Sequence, residues 1–143
     1  MGSRHRQRPP KMAAILRRLE GLDRKAQGWL LKADQYMKGE EFEKAIPFLE
    51  AVVVHSEPFP RLQQILWELL GDAQMAVGKC KKASVCYLRH HAHSRALGDP
   101  RGVARAECNL GISYMQLGLL KLAGRSFMQY LSNSRRLGDA RGV

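Results

Sequence analysis

The sequence has no long apolar run, few cysteines and few aromatic residues. No stretch approaches the roughly 18 consecutive apolar residues of a membrane span. The most apolar segment, Ile46 to Val54, is interrupted by Glu50. Three cysteines, Cys80, Cys86 and Cys108, are too sparse and odd in number for a disulfide framework. The N-terminal segment has charges but no apolar core ahead of a small-residue cleavage site, so it does not read as a secretory leader. Together these point to a reducing compartment, the cytoplasm or the nucleus. Acids are also scarce, 13 against 24 Lys and Arg, for a net charge of +11.

That charge is uneven. Residues 1–25 carry +6, residues 26–63 carry −2 and residues 64–143 carry +7. Such a balance favours acidic partners, whether an acidic peptide, nucleic acid or an anionic surface. The alternative is a basic face that is merely solvated. The segment Met1 to Lys11 is rich in Arg and Pro and offers nothing to a core, so residues 1–21 are expected to form a basic disordered tail. Its lack of acids before Glu20 is similar to a mitochondrial transit peptide. It is nevertheless poor in Ser, and Pro9–Pro10 breaks a helix. Gly2 follows Met1, but Arg6 stands where a myristoylation signal needs Ser or Thr.

What is present is an internal repeat. Residues 64–103 laid on 104–143 agree at 14 of 40 positions without a gap. Leu70-Gly71 falls on Leu110-Gly111, Met75 on Met115, Gly78 on Gly118 and Ala83 on Ala123. Leu97-Gly98-Asp99 falls on Leu137-Gly138-Asp139. A fixed period of this size marks a stacked-repeat architecture. Each period reads as two helices. Asp99 is placed to cap the first, Pro100 opens it, and Val103, Ala106, Leu110, Tyr114 and Leu117 recur along one face. Gly118 ends it. A second helix then places Leu122, Ala123, Phe127, Tyr130 and Leu131 inward, Gly138 ends that one, and Asp139 is set to cap another. Gly71 and Gly111 are expected where the second helix approaches the first, with Ala83 and Ala123 facing back. Pro47 lies about one turn into its helix, where it removes few hydrogen bonds.

The pattern resembles the tetratricopeptide repeat family. Trp29 and Trp67 match its early aromatic, where the third unit has Glu107. Leu70-Gly71 and Leu110-Gly111 match its Leu-Gly pair, where the first unit has Lys32-Ala33. Tyr36 and Tyr114 match its mid-helix tyrosine, with Gln74 between. Gly39, Gly78 and Gly118 match its turn glycine, and the first falls one residue early relative to Phe42 and Ala45. Ala45, Ala83 and Ala123 match its second-helix alanine, and Tyr87 and Phe127 its later aromatic, where the first unit has Leu49. The forty-residue spacing looks like the long-helix type of Pins/LGN-like adaptors and rapsyn-type scaffolds.

The resemblance implies an all-α chain, an α-solenoid of about three helix-turn-helix repeats over residues 22–143, with units near 26–59, 60–99 and 100–139. It also implies a protein-binding adaptor, without a cofactor, whose concave groove holds a partner peptide or helix. The groove positions carry over to Leu30, Asp34, Met37 and Lys38 in the first unit. They fall on Glu68, Asp72, Met75 and Ala76 in the second, and on Arg105, Asn109, Ile112, Met115 and Gln116 in the third. Met37, Met75 and Met115 would form a ladder of flexible thioethers, or else fill the core. The chaperone-tail subfamily has a Lys and Asn clamp where this chain has Leu30 and Asp34, which speaks against that activity.

Chemical motifs are weak. Gly78-Lys79-Cys80 fails as a phosphate loop: Ala73 stands where the first Gly belongs, Cys80 replaces the Ser or Thr, and the setting is helical. Cys86, His90 and His93 could share a helix face as metal ligands, but Tyr87 and Leu88 mark the core side and the histidines read as solvated. No arrangement for nucleophilic catalysis stands out. The rival function is a basic helical repeat that binds nucleic acid, weakened by the shortage of exposed aromatics among its Lys and Arg. With no helix following to cover Phe127, Tyr130 and Leu131, self-association through the C-terminal end is expected. This reading predicts a helix-dominated circular dichroism spectrum and rapid tryptic loss of the segment before about Leu22. A protease-resistant core shorter than residues 26–137 would contradict it.

Overall fold

Asp23 starts the first helix of the computed structural model, its carboxylate accepting the Ala26 N–H at 2.8 Å. The structure describes residues 21–140, and side chains through residue 138. Among them are six helices and no strand: α1 (Arg24–Lys38), α2 (Phe42–His55), α3 (Pro60–Ala76), α4 (Cys80–Ala96), α5 (Pro100–Gln116) and α6 (Leu120–Ala140). Each helix packs on its neighbours in chain order, giving three stacked helix-turn-helix pairs. The basic tail of residues 1–20 lies outside the described residues.

The helix boundaries follow from local chemistry. Pro60 and Pro100 open α3 and α5, where a missing N–H costs nothing. Asp99 caps α5 by accepting the Gly102 N–H at 3.0 Å. Gly78 and Gly118 take the left-handed conformation that ends α3 and α5, at φ 81° and 75°. In the first pair Gly39 sits at φ −82° and the left-handed residue is Glu40, at φ 57°. The glycine really does come one residue early, and a residue with a side chain carries the turn.

The end of the last helix differs from expectation. Gly138 was expected to stop α6 as Gly98 stops α4, but α6 runs through it to Ala140. One difference is the residue two places on. After Gly98 comes Asp99-Pro100, and a proline has no N–H to continue a helix and excludes its predecessor from helical geometry. After Gly138 comes Asp139-Ala140, which imposes neither restriction.

The main core fills the first two pairs, around Leu30, Leu49, Leu62, Leu66 and Leu69. A smaller cluster of Ala83, Tyr87 and Leu110, with Met75 and Tyr114 against it, joins the second pair to the third. Burial thins toward the end of the stack. On α5, Ala106 and Leu110 are buried, Val103 and Tyr114 half-buried, and Leu117 exposed. Among the described side chains of α6 only Ala123 is buried; Phe127 and Tyr130 are half-buried, and Leu122 and Leu131, expected inward, are exposed.

The expected close crossing is present, with a different partner. A Cβ on Gly71 would lie 2.7 Å from the Tyr87 ring, and one on Gly111 would lie 2.5 Å from the Phe127 ring. The glycine makes room for the aromatic of the second helix rather than for its alanine. Tyr87 cannot swing aside, because it is buried and its hydroxyl donates to Asp72 at 2.8 Å. Gly71→Ala should therefore cost about 1–3 kcal/mol in denaturant unfolding. Glu40→Gly should act the other way, raising stability by up to about 1 kcal/mol by relieving left-handed backbone. An unmoved unfolding midpoint for either variant would contradict the packing described.

Candidate protein-binding faces

The first-helix positions expected to line a groove fall into two groups. Leu30 and Met37 belong to the main core, and Asp34 and Glu68 are buried as well, so these four present almost no surface. Asp72, Met75 and Asn109 are half-buried, while Arg105, Ile112, Met115 and Gln116 are exposed. Lys38 is half-buried and Ala76 exposed. The methionine row is therefore graded, not uniform: Met37 is core, Met75 is intermediate, and Met115 is 54% exposed. The accessible groove positions cluster on α5 and the adjoining part of α3.

Beneath them sits a polar cluster of Glu68, His90 and Arg105. His90 is fully buried, and its Nε2 lies 3.4 Å from Glu68 Oε1. Arg105 Nε approaches the other Glu68 oxygen at 3.3 Å from α5. The expectation of a solvated His90 is thus corrected. Helical spacing held the signal: Ala83, Tyr87, His90 and Ser94 recur every three or four residues and are all buried. Leu88, taken as a marker of the core side, is instead exposed. A buried carboxylate costs several kcal/mol unless it is paired, and here two cationic or polar partners from neighbouring helices meet it.

A second buried carboxylate occupies the position that is tryptophan in the first two units. Glu107 accepts from Asn133 Nδ2 at 2.7 Å, and His91 Nε2 lies 3.4 Å from its other oxygen. Arg136 Nη2 donates to Asn133 Oδ1 at 2.6 Å. These residues, with Arg95, line a polar cleft of about 410 Å³ between α4, α5 and α6. Another cleft, of about 400 Å³ between α2, α3 and α4, is apolar, with Val53, Val54, Trp67 and Val85 in its walls. Arg89 lies over the Trp67 ring at 5.0 Å from its centre.

The three candidate metal ligands do not come together as a site. Cys86 is buried and donates its S–H to Gln74 Oε1 at 3.1 Å. His90 is engaged with Glu68, and His93 is half-buried, its basicity lowered by burial and then by the Arg89 charge. Among the described residues no group of three His, Cys, Asp or Glu side chains is arranged for a metal ion. No described helix is long and apolar enough to cross a membrane.

Comparison with solved structures agrees with this architecture. The TPR domain of FLU from Arabidopsis superposes with a TM-score of 0.68, covering 88% of this chain and 96% of that one. The fold is TPR-like. Sequence identity to that domain is 17%, so the likeness speaks to the fold. No family model and no curated protein matches the chain.

The cysteine environments give a direct check. Burial, and next the Glu50 charge, push the Cys86 thiol up to about 11, so little thiolate forms near neutrality. Cys80 and Cys108 are only half-buried. Alkylation of the native protein near pH 8 should label those two and spare Cys86 until the chain unfolds. Peptide mapping showing early Cys86 modification would contradict the packing of α4.

Proposed function

We propose that this chain is a protein-binding module of the adaptor or scaffold kind, not an enzyme. Its partner segment, a peptide or helix, lies along the open side of the first helices, chiefly α5 with the adjoining part of α3. The observation that carries the reading is the pair Ile112 and Met115. Both are apolar and exposed on a helix whose opposite side is in the core. Arg105 and Gln116 are exposed on the same helix, and Asp72 and Met75 lie half-buried on α3. A polar surround to an apolar centre is the composition of a recognition surface. Flexible Met75 and Met115 suit an apolar side chain of the partner.

The net charge of +11 favours acidic character in that partner, and a cytoplasmic or nuclear setting fits the free thiols. The same charge supports a second reading, in which the acidic partner is nucleic acid. Affinity capture on the immobilised chain, with and without nuclease, separates the two. Protein retained after nuclease and lost by Ile112→Glu, at unchanged melting temperature, is the expected result. Retention that disappears with nuclease, or binding that falls steeply with salt as phosphate contacts do, would replace this reading with the nucleic-acid one.

A further inference from the structure

Helix pairing accounts for Glu107, His91 and Asn133, which link α4, α5 and α6. It does not account for the two arginines beside them. Arg95 of α4 and Arg136 of α6 line the same cleft of about 410 Å³. Both are exposed, and among the described residues neither has a carboxylate partner.

Arg136 is also held in place. Its Nη2 donates to Asn133 Oδ1 at 2.6 Å, and Asn133 Nδ2 donates to Glu107 Oε1 at 2.7 Å. The buried carboxylate fixes which way the amide points, and the amide oxygen then fixes the guanidinium. A long side chain ordinarily gives up its freedom on binding a ligand, and this one has given up part of it beforehand. The arrangement is particular to this pair. Forty residues earlier the places of Glu107, Asn133 and Arg136 hold Trp67, His93 and Ala96. That junction has neither the carboxylate nor the arginine it anchors.

We infer that the cleft is a binding site for a carboxylate side chain, an Asp or Glu of a protein partner, taken between Arg95 and Arg136. The planar fork of an arginine matches the two oxygens of a carboxylate. With His91 neutral, the two guanidiniums and Glu107 leave one positive charge in excess. A carboxylate neutralises it. A phosphate dianion overshoots it and is repelled by the Glu107 charge in the same cleft. The site is separate from the groove and does not rest on that reading. Ile112 is nine residues beyond Val103, about two and a half helical turns, so it lies on the opposite side of α5 from the cleft.

The probe is N-acetylglutamate amide, which carries one side-chain carboxylate and no other charge. It is titrated into the isotope-labelled full chain while the arginine Nε–Hε signals are followed by NMR. Saturable shifts are expected at Arg95 and Arg136 and not at Arg125, an exposed arginine of α6 outside the cleft. N-acetylglutamine amide, which lacks the charge, should shift neither. Arg136→Lys keeps the charge but loses the fork, so binding read at Arg95 should weaken about tenfold with an unaltered melting curve. Arg125→Gln, which removes a charge elsewhere, and Ile112→Glu should each leave the affinity as it was. Inorganic phosphate at equal ionic strength should bind more weakly than the probe. Shifts that do not saturate, or that are uniform over the arginines, would overturn the inference. So would an Arg136→Lys chain that binds as tightly, or tighter binding of phosphate.

Discussion

Each of the last two helix pairs depends on a ring laid against a glycine. Tyr87 lies on Gly71 and Phe127 on Gly111, so close that a single added carbon would overlap the ring. The contact fixes how near the two helices approach and how they cross, since neither backbone can shift without losing the ring's packing. It also sets the angle at which the next pair is presented. The first pair manages without it. Ala33 stands at the glycine position and Leu49 at the aromatic one, and both are fully buried. A smaller ring substitute leaves room for a methyl group.

Between pairs the junctions are polar where they could have been apolar. Gln64 of α3 donates to both Ser94 of α4, at 3.0 Å, and Asp99 at the start of α5, at 2.8 Å. Burial works against the Asp99 charge, but the Gly102 N–H and the Gln64 amide outweigh it and hold the carboxyl below its ordinary value. Glu68, His90 and Arg105 make a second such link. These groups tie α3, α4 and α5 in one register, because a slip of either helix would strand a buried polar atom. Further along, Glu107 with His91 and Asn133 does the same for α4, α5 and α6. Apolar burial supplies the attraction, and the polar links choose among the ways of satisfying it.

Burial is unequal along the stack, and the surfaces follow from that. The first pair puts its inner row, Leu30 and Met37, into the main core, and so has little left for recognition. On the third pair Met115, Leu119, Leu122 and Leu131 are exposed. Among the described residues the stack thus holds its main core at one end and open apolar surface at the other.

The repeat, the helix pairs and most of their ends were legible in the chain alone, because caps, proline starts and apolar spacing act over three or four residues. Asp99-Pro100 and Gly118 needed no tertiary context. Even the early Gly39 was visible, although not that Glu40 carries the turn. Which side of a helix meets water was not legible where a position is polar. His90 and Glu68 look like surface residues and become buried only because a partner arrives from another helix. Nor could spacing tell that Met37 is core and Met115 exposed, since the two occupy the same place in their units. A side chain's burial is set by what stacks upon it, and that is a property of the assembled pairs rather than of the local sequence.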